Sequence, residues 1–490
     1  MLVESDPHQT RIAVLEEDRA TEIFVERQRH RGLVGNVYKG RVNRVLPGMQ
    51  AAFVDIGLGR DAFLYVTDVA EAVAALEEGD GDSEERPPAA ETPSIGDLLR
   101  VGQEVLVQVI KEPLLNKGAR VSTHITLPGR YLVLLPTVRH LGVSRRIESE
   151  EERLRLRALL EELPPGPGLI VRTAGEGKRR EEFGADRDYL VGVWERLQRR
   201  AESAAAPSLL HQEVDLALRV VRDIFNASFT VLWVDGEETY ERIVEFLDQV
   251  QPSLTSRVRL FRQESSLFES FGIEEEIEKA LESKVWLKSG GYLVINPTEA
   301  LVAIDVNTGR FVGHHNLEDT VLRTNLEAVA EVVRQIRLRD LGGIIVIDLI
   351  DMAEKEHREE VFAALEAELR KDRAKNKVLS ISDFGLVELT RKRSRANLER
   401  LLTQQCPHCQ GSGRIASIAT TCLKLRSEAL RLRDRPHLRE VLLRVHPEVA
   451  RALQHEERAI LDELERELGA AVLLRSDPEL HHERFDILEV

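Results

Sequence analysis

Cysteine, tryptophan and methionine are scarce in this chain of 490 residues, which has three of each. So few cysteines argue against a disulfide scaffold and indicate a reducing compartment, so we expect a cytoplasmic protein. Long apolar runs are also missing, since none approaches the roughly 20 residues that a membrane helix needs. The N-terminus has neither a basic flank nor an apolar segment, which predicts no secretory signal.

Net positive charge is another absence, because the formal net charge is −16. That sign is unusual for a nucleic-acid binder, but the distribution of charge is more informative than its sum. Residues 71–91 are strongly acidic, whereas 27–44 and 392–395 are locally basic. Charge alone favours the interpretation of these basic clusters as solvated surfaces.

A small barrel is predicted near the N-terminus of a chain long enough for several domains. Short alternating strands with glycine and proline turns run from residue 37 to 111, as in barrels of the OB type. Residues 71–94 lack periodicity and are predicted to form an exposed acidic loop inserted in it. Strand alternation predicts that Phe53 and Phe63 point away from the apolar face of their strands, so that they could stack on bases at the barrel surface. Burial of both rings in the core is an equal alternative.

Arg172 and Thr173 follow a predicted strand and offer a guanidinium beside a hydroxyl. This pair suits a terminal phosphate, because arginine donates two parallel hydrogen bonds to phosphate oxygens. The simpler alternative is an arginine in a surface ion pair.

Two apolar strands that each end in an aspartate organise the second half of the chain. Residues 301–305 end in Asp305 and residues 344–348 end in Asp348, with one amphipathic helix between them. Asn307 is two residues beyond Asp305 and shares its strand face. Carboxylates at neighbouring strand ends commonly hold Mg²⁺. The alternative for Asp348 is an ion pair with an arginine.

Asp351 is a competing carboxylate with a simpler interpretation. With Glu354 three residues later, it is predicted to be the N-cap of a capping box that begins a helix extending to Arg370. This role makes Asp351 the weakest of the three aspartates as a metal ligand.

Cys406 and Cys409 form a Cys-x-x-Cys turn followed by glycines, the pattern of a zinc knuckle. One knuckle supplies two thiolates, and the third cysteine, Cys422, falls in a predicted helix as a buried apolar residue. Two chains could therefore share one four-cysteine zinc site and form a symmetric dimer. A redox dithiol is the alternative, disfavoured because no thioredoxin-like βαβ pattern is evident around it. Residues 438–490 are predicted to form a small αβ module.

The order of these motifs resembles the ribonuclease E/G family over essentially the whole chain. The residues that carry the resemblance are the barrel, Val171-Arg172-Thr173-Ala174-Gly175, Ala303-Ile304-Asp305-Val306-Asn307, the run from Gly342 to Met352, and Cys406-Pro407-His408-Cys409. A long disordered tail of the kind found on many ribonuclease E proteins is missing, as in ribonuclease G-like or short-form members.

The resemblance implies a multidomain fold of α/β and α+β parts, with an S1 (OB) barrel inserted in an RNase H-like subdomain. The implied domains are the RNase H-like subdomain (1–32 and 217–280), the S1 domain (33–122), a 5′ sensor (123–216), a DNase I-like catalytic subdomain (281–402), a zinc link (403–416) and a small C-terminal domain (417–490).

The resemblance further implies a Mg²⁺-dependent endoribonuclease that cleaves single-stranded RNA, is stimulated by a 5′-monophosphate, leaves 5′-phosphates, and acts in rRNA and tRNA processing and mRNA decay. The implied residues are Asp305, Asp348 and Asn307 for catalysis, with the two aspartates on Mg²⁺; Arg172 and Thr173 for the 5′-phosphate; Phe53, Phe63 and Lys117 for RNA; and Cys406 and Cys409 for zinc shared in a homodimer, with a possible homotetramer. The rival hypothesis is a non-catalytic RNA-binding scaffold with an S1 module and a zinc-linked dimer.

Overall fold

The computed structural model describes residues 1–28, 32–69, 93–113, 118–147, 149–309, 317–382, 385–393, 395–433, 435 and 438–490. Lys117, a predicted RNA contact, and most of the acidic stretch 71–94 lie outside these residues. The chain divides into two compact units, Met1–Leu401 and Leu402–Val490.

Strands dominate the first unit and form a small sheet in the second. In chain order they are β1 (Leu2–Ser5), β2 (Gln9–Glu16), β3 (Arg19–Arg27), β4 (Val37–Leu46), β5 (Ala51–Asp55), β6 (Ala62–Tyr65), β7 (Glu104–Lys111), β8 (Arg120–Ser122), β9 (Leu127–Pro128), β10 (Leu132–Leu135), β11 (Leu141–Val143), β12 (Gly168–Val171), β13 (Ser208–His211), β14 (Leu232–Val234), β15 (Val258–Leu260), β16 (Lys284–Trp286), β17 (Tyr292–Pro297), β18 (Leu301–Asn307), β19 (Gly343–Asp348), β20 (Asn376–Val378), β21 (Leu386–Arg391), β22 (Glu440–Val445), β23 (Ala471–Ser476) and β24 (Phe485–Glu489).

Helices alternate with these strands along most of the chain. They are α1 (Ile95–Leu98), α2 (Glu150–Glu161), α3 (Arg180–Ser203), α4 (Leu216–Ile224), α5 (Glu237–Val250), α6 (Leu267–Ser270), α7 (Ile273–Leu281), α8 (Leu317–Leu338), α9 (Lys355–Leu369), α10 (Leu398–Leu402), α11 (Ile418–Ala429), α12 (Pro447–Gln454) and α13 (Arg458–Leu468). In the part of the chain that the structure describes, no helix combines the length and the apolarity needed to cross a membrane.

The N-terminal hairpin belongs to a five-stranded sheet in the order β15-β14-β1-β2-β3. Glu17 and Asp18, with φ of 51° and 61°, form the tight turn between β2 and β3, in a left-handed conformation that aspartate tolerates. The sequence patterns gave no indication of β1, which pairs in parallel with β14 and joins the N-terminus to residues 232–260 of the same sheet.

The small barrel has the strand order β13-β4-β5-β6-β8-β7, and pairing of β4 with β7 closes it. Its interior contains Ala52, Val54 and Leu64 among other apolar side chains. Gly40 is required at a close approach in this interior, because a Cβ atom there would lie 2.5 Å from Val54 Cγ1. Beside the barrel, a four-stranded sheet has the order β11-β12-β10-β9.

A six-stranded sheet in the order β16-β17-β18-β19-β21-β20 forms the frame of the candidate catalytic region. Alternate residues of its strands pack with α8 in one apolar cluster that includes Ile304, Ile347 and Val332. The opposite face leaves Ile344 and Trp286 exposed. One face of the sheet is therefore core, and the other is open to a ligand.

The helix predicted to have Asp351 as its N-cap begins later in the chain. Helix α9 begins at Lys355, and its N-cap residue is Glu354 rather than Asp351. The backbone N–H groups of Ala353 and Glu354 are instead bonded by Glu318 Oε1, at 2.9 and 3.3 Å. A carboxylate of α8 thus replaces the local cap, and the reason for setting Asp351 aside as a ligand is lost.

The second unit is a three-stranded sheet in the order β23-β22-β24, with β22 and β23 parallel. Helices α11, α12 and α13 share one apolar cluster with it. Cys422 lies on α11 and is fully buried in that cluster, which confirms its prediction as an apolar core residue. The Cys406–Cys409 turn precedes α11.

Candidate active site and nucleic-acid interface

Asp305 and Asp348 lie side by side where the parallel pairing of β18 with β19 ends. They are direct Cα partners in the register of the two strands. Both side chains are exposed, while the preceding residues, Ile304 and Ile347, are buried on the opposite face. The structure therefore brings together on the open face the two carboxylates that the sequence singled out.

Asn307 joins this pair through a hydrogen bond in which its Nδ2 donates to Asp305 Oδ2 at 2.8 Å. The bond leaves the Asn307 carbonyl oxygen and the second Asp305 oxygen for other partners. Strand alternation predicted the shared face, and the contact follows from it.

The loop after β19 is held by a buried side chain that the sequence analysis missed. Asn325 on α8 is fully buried. Its Nδ2 donates to Ile350 O at 2.8 Å, and its Oδ1 accepts from Ile350 N at 3.1 Å. These two bonds fix the backbone between Asp348 and Asp351. A polar residue inside the apolar stripe of the amphipathic helix was the available signal.

Asp351 affects the pair electrostatically. Partial burial raises the pKa of Asp348, and the negative charges of Asp305 and Asp351 raise that pKa further. Like charges that raise the pKa of a carboxyl in this way place negative potential at the strand edge, where the Asp305–Asp348 pair offers the oxygens that hard divalent cations prefer. Asp351 thus adds negative charge near the pair.

An aromatic pair and a lysine lie on the same open face. Tyr292 is the Cα partner of Asn307, and Trp286 is the partner of Tyr292, so the three side chains share a face. The two rings have centroids 5.4 Å apart, and Trp286 is 62% exposed. The Lys284 ammonium lies 4.1 Å from the Trp286 ring and 3.7 Å from the Tyr292 ring.

This cluster of Lys284, Trp286 and Tyr292 can contact both parts of a nucleotide, since aromatic faces stack on bases and an ammonium attracts a phosphate. Among the described residues, Lys284 makes no ion pair. Sequence patterns did not predict the cluster, because an alternating Lys-x-Trp segment also fits an ordinary edge strand.

The outer face of the barrel presents a row of three aromatic rings. Phe53 and Phe63 are half-buried partners across β5 and β6, with ring centroids 4.9 Å apart. Tyr65 extends the row, 4.7 Å from Phe63. The guanidinium groups of Arg44 and Arg120 lie 5.0 Å from the Phe53 ring and 4.8 Å from the Tyr65 ring. Aromatic rings flanked by cations form the kind of surface that binds single-stranded nucleic acid.

Arg172 makes the kind of ion pair that the sequence left as an alternative. Its Nη1 donates to Asp223 Oδ1 at 2.7 Å and also to Gly129 O. Thr173 is exposed, and its hydroxyl lies 3.4 Å from Ser144 Oγ. The contacts hold the guanidinium in place beside an open hydroxyl; the phosphate-binding role stays a prediction.

Cys406 and Cys409 form no disulfide and are at least partly exposed. Hydrogen bonds from the backbone N–H groups of Cys409 and His408 lower the pKa of the Cys406 thiol. A stabilised thiolate suits a metal ligand and a redox thiol equally.

Comparisons with known protein families match most of the chain. A model described as the Ribonuclease E/G family matches residues 126–394, more than half of the chain. The chain belongs to the ribonuclease E/G family. A model of the S1 RNA binding domain matches residues 33–123, and one of the RNase E/G thioredoxin-like domain matches residues 405–490.

Full-length relatives in the family include Ribonuclease G of Escherichia coli strain K12, 44% identical over 100% of this chain and 99% of that protein. Ribonuclease G of Haemophilus influenzae is 41% identical with the same coverage. Ribonuclease E of Escherichia coli K12 is 37% identical over 98% of this chain but only 45% of its own length.

The thioredoxin-like match corrects one step of the sequence analysis. The redox alternative for Cys406 and Cys409 was disfavoured because no thioredoxin-like pattern was evident around them. The match to residues 405–490 includes both cysteines, and parallel β22 and β23 are joined through helices α12 and α13. That argument against a redox dithiol is therefore wrong, and the shared zinc site needs its own test.

Proposed function

We propose that this protein is a Mg²⁺-dependent endoribonuclease that cleaves single-stranded RNA and leaves 5′-phosphate and 3′-hydroxyl ends. The observation that carries the proposal is the in-register pair of Asp305 and Asp348 on the open face of the sheet. The printed names of the relatives, Ribonuclease G and Ribonuclease E, support the same reaction class.

The donor set at this edge fits Mg²⁺. Asp305 and Asp348 would hold the ion, Asn307 would orient Asp305 or a water of the ion's hydration shell, and Asp351 adds negative charge to the site. All these donors are oxygens, which Mg²⁺ prefers, and no thiol or imidazole competes among the side chains just named. When bound, Mg²⁺ supplies Lewis-acid stabilisation of the scissile phosphate and activates a water.

The chain's own groups would do the remaining work. The hydrogen bond from Asn307 holds one Asp305 oxygen, so that the other oxygen faces the open side. The clamp from Asn325 to Ile350 keeps the Asp348 strand end from shifting. Fixed charges of this kind lower the barrier because they need no reorganisation during the reaction.

Single-strand selectivity would come from stacking. The aromatic row on the barrel and the Lys284–Trp286–Tyr292 cluster both present ring faces that only unpaired bases can reach. The second cluster shares a sheet face with Asn307, so it would hold a base near the scissile phosphate.

Stimulation by a 5′-monophosphate would use Arg172 and Thr173. A terminal phosphate would accept hydrogen bonds from guanidinium nitrogens that Asp223 and Gly129 do not occupy, and from the exposed Thr173 hydroxyl. The cellular roles that fit such an enzyme are rRNA and tRNA processing and mRNA decay.

The test is cleavage of a 5′-monophosphorylated single-stranded oligonucleotide with Mg²⁺ and with EDTA. Asp305→Asn should still bind the oligonucleotide but lose cleavage by at least about 100-fold, because a neutral amide neither offsets the metal charge nor binds it as tightly. Glu299→Gln, an exposed carboxylate in the turn between β17 and β18, is the matched control and should cleave normally.

Cleavage by Asp305→Asn at the wild-type rate would refute the metal-site assignment. Binding without any Mg²⁺-dependent cleavage by the wild-type protein would favour the rival scaffold hypothesis.

A further inference from the structure

A cluster of histidines lies in the second unit, and the proposed function uses none of its side chains. His446 follows β22, Glu448 is in the first turn of α12, and His481 and His482 precede β24. Segments more than 30 residues apart in sequence therefore converge at one end of the small sheet.

The distances within the cluster suit a transition-metal site. His446 Nε2 and His482 Nε2 are 3.0 Å apart, and Glu448 Oε2 lies 3.7 Å from His482 Nε2. The ligand atoms of all three residues lie within 4.8 Å of one another. Nitrogen ligands on tetrahedral zinc are about 3.3 Å apart, because each bond is about 2.0–2.1 Å long. Small rotations of the two rings would direct both nitrogens at one ion.

We propose that His446, Glu448 and His482 bind one divalent transition-metal ion, of the zinc class, within a single chain. Imidazole and carboxylate together favour Zn²⁺, Ni²⁺ or Cu²⁺ over Mg²⁺. Glu448 is exposed, so water has access as a fourth ligand. The site uses no sulfur and is separate in its ligands from the Cys406–Cys409 pair.

The hydrogen bonds define what the ion must displace. His446 Nδ1 accepts a hydrogen bond from Glu448 N at 3.2 Å, so its proton lies on Nε2 and is donated to His482 Nε2. Binding an ion at both Nε2 atoms moves the His446 proton to Nδ1 and gives up the bond from Glu448 N. The ion thus replaces one hydrogen bond between the rings and one helix cap.

A neighbouring contact holds the segment that carries His482. His481 Nε2 lies 2.7 Å from the backbone oxygen of His408, and the rings of His408 and His482 have centroids 5.2 Å apart. The segment before β24 is therefore tied to the cysteine turn within the same unit. The ion would cross-link β22, α12 and this segment.

The experiment measures Zn²⁺ binding by the full-length protein after treatment with EDTA, in a Cys406→Ser/Cys409→Ser background that removes the thiolates. With Mg²⁺ in excess to occupy the proposed Asp305–Asp348 site, this variant should bind one Zn²⁺ per chain. Adding His446→Asn and His482→Gln should weaken that binding by at least about 100-fold, since loss of supporting contacts alone costs 10–100-fold. Asparagine at 446 can still cap α12, and thermal denaturation checks the fold.

His455→Gln is the matched control, an exposed histidine of the same unit outside the cluster, and should leave binding unchanged. Co²⁺ gives a second readout, because its ligand-field absorption should appear without thiolate charge-transfer bands. No Zn²⁺ binding in the cysteine-free variant, or equal binding with and without the two histidines, would overturn the proposal. RNA takes no part in this measurement, so its result is independent of the nuclease activity.

Discussion

Asp186 provides the sharpest test of how the predicted phosphate pocket is positioned. Its carboxylate is fully buried and accepts three backbone N–H groups: Arg130 N at 3.0 Å on Oδ1, and Tyr131 N and Leu132 N at 2.8 Å each on Oδ2. The loop that it holds supplies Gly129 O, which accepts from Arg172 Nη1. Loss of Asp186 should therefore release Arg172.

The loss of unfolding free energy expected for each Asp186 variant follows from the number of hydrogen bonds that the variant breaks. In Asp186→Asn, the amide oxygen can keep the two bonds at Oδ2, but the NH₂ group then faces Arg130 N. Arg130 N–H and the new NH₂ group are then two buried donor groups without an acceptor, and each costs about 1–3 kcal/mol. In Asp186→Ala all three backbone donors lose their partner, and the expected cost is roughly 3–9 kcal/mol by the same count. The two variants should thus form a graded series.

Two assays measure the effect of the two Asp186 variants. Urea unfolding should give midpoints in the order wild type, Asp186→Asn, Asp186→Ala. The ratio of cleavage rates for 5′-monophosphate and 5′-hydroxyl oligonucleotides should fall toward one in the same order, while cleavage of the 5′-hydroxyl substrate persists. Asp188→Asn, an exposed neighbour whose side chain is 76% exposed, is the control. Equal midpoints for Asp186→Ala and wild type would refute the reasoning, as would an unchanged rate ratio in a destabilised variant.

The remaining predictions concern three other sites. Asp351→Asn should lower the raised pKa of Asp348, because one repelling charge is removed. The acid limb of the cleavage–pH profile should then shift to lower pH, and a shift to higher pH would contradict the prediction. Trp286→Ala should weaken binding of single-stranded RNA by about 1–3 kcal/mol, the contribution of one stacked base, whereas Trp286→Phe should keep most of the binding free energy. Equal affinities of the wild type and both variants would exclude stacking on Trp286. Cys406→Ser should convert the predicted zinc-linked dimer to monomers, which a measurement of the mass in solution would detect. An unchanged dimer would rule out the shared site.

The sequence predicted the parts of the active site that depend on strand periodicity. Asp305 and Asp348 both follow four apolar strand residues, so adjacent parallel pairing of those residues places the two carboxylates together. Asn307 shares a face with Asp305 because side chains alternate along a strand. The outward positions of Phe53 and Phe63 follow from the same alternation.

Patterns that depend on a local cap were less reliable. Asp351 has the spacing of a capping box, but α9 begins later and Glu318 from a different helix bonds the free N–H groups. A cap predicted from local sequence competes with any other acceptor that the fold brings close, and that competitor lies 35 residues away.

Tertiary structure alone decided the contacts between residues distant in sequence. Three contacts have no local signature: the ion pair of Arg172 with Asp223, the clamp from Asn325 to Ile350, and the approach of His446 to His482. The sequence by itself determined which strands carry the carboxylates and which faces are apolar, because those properties repeat with the backbone period. Which polar side chains meet depends on how separate segments pack, and so only the folded chain could show it.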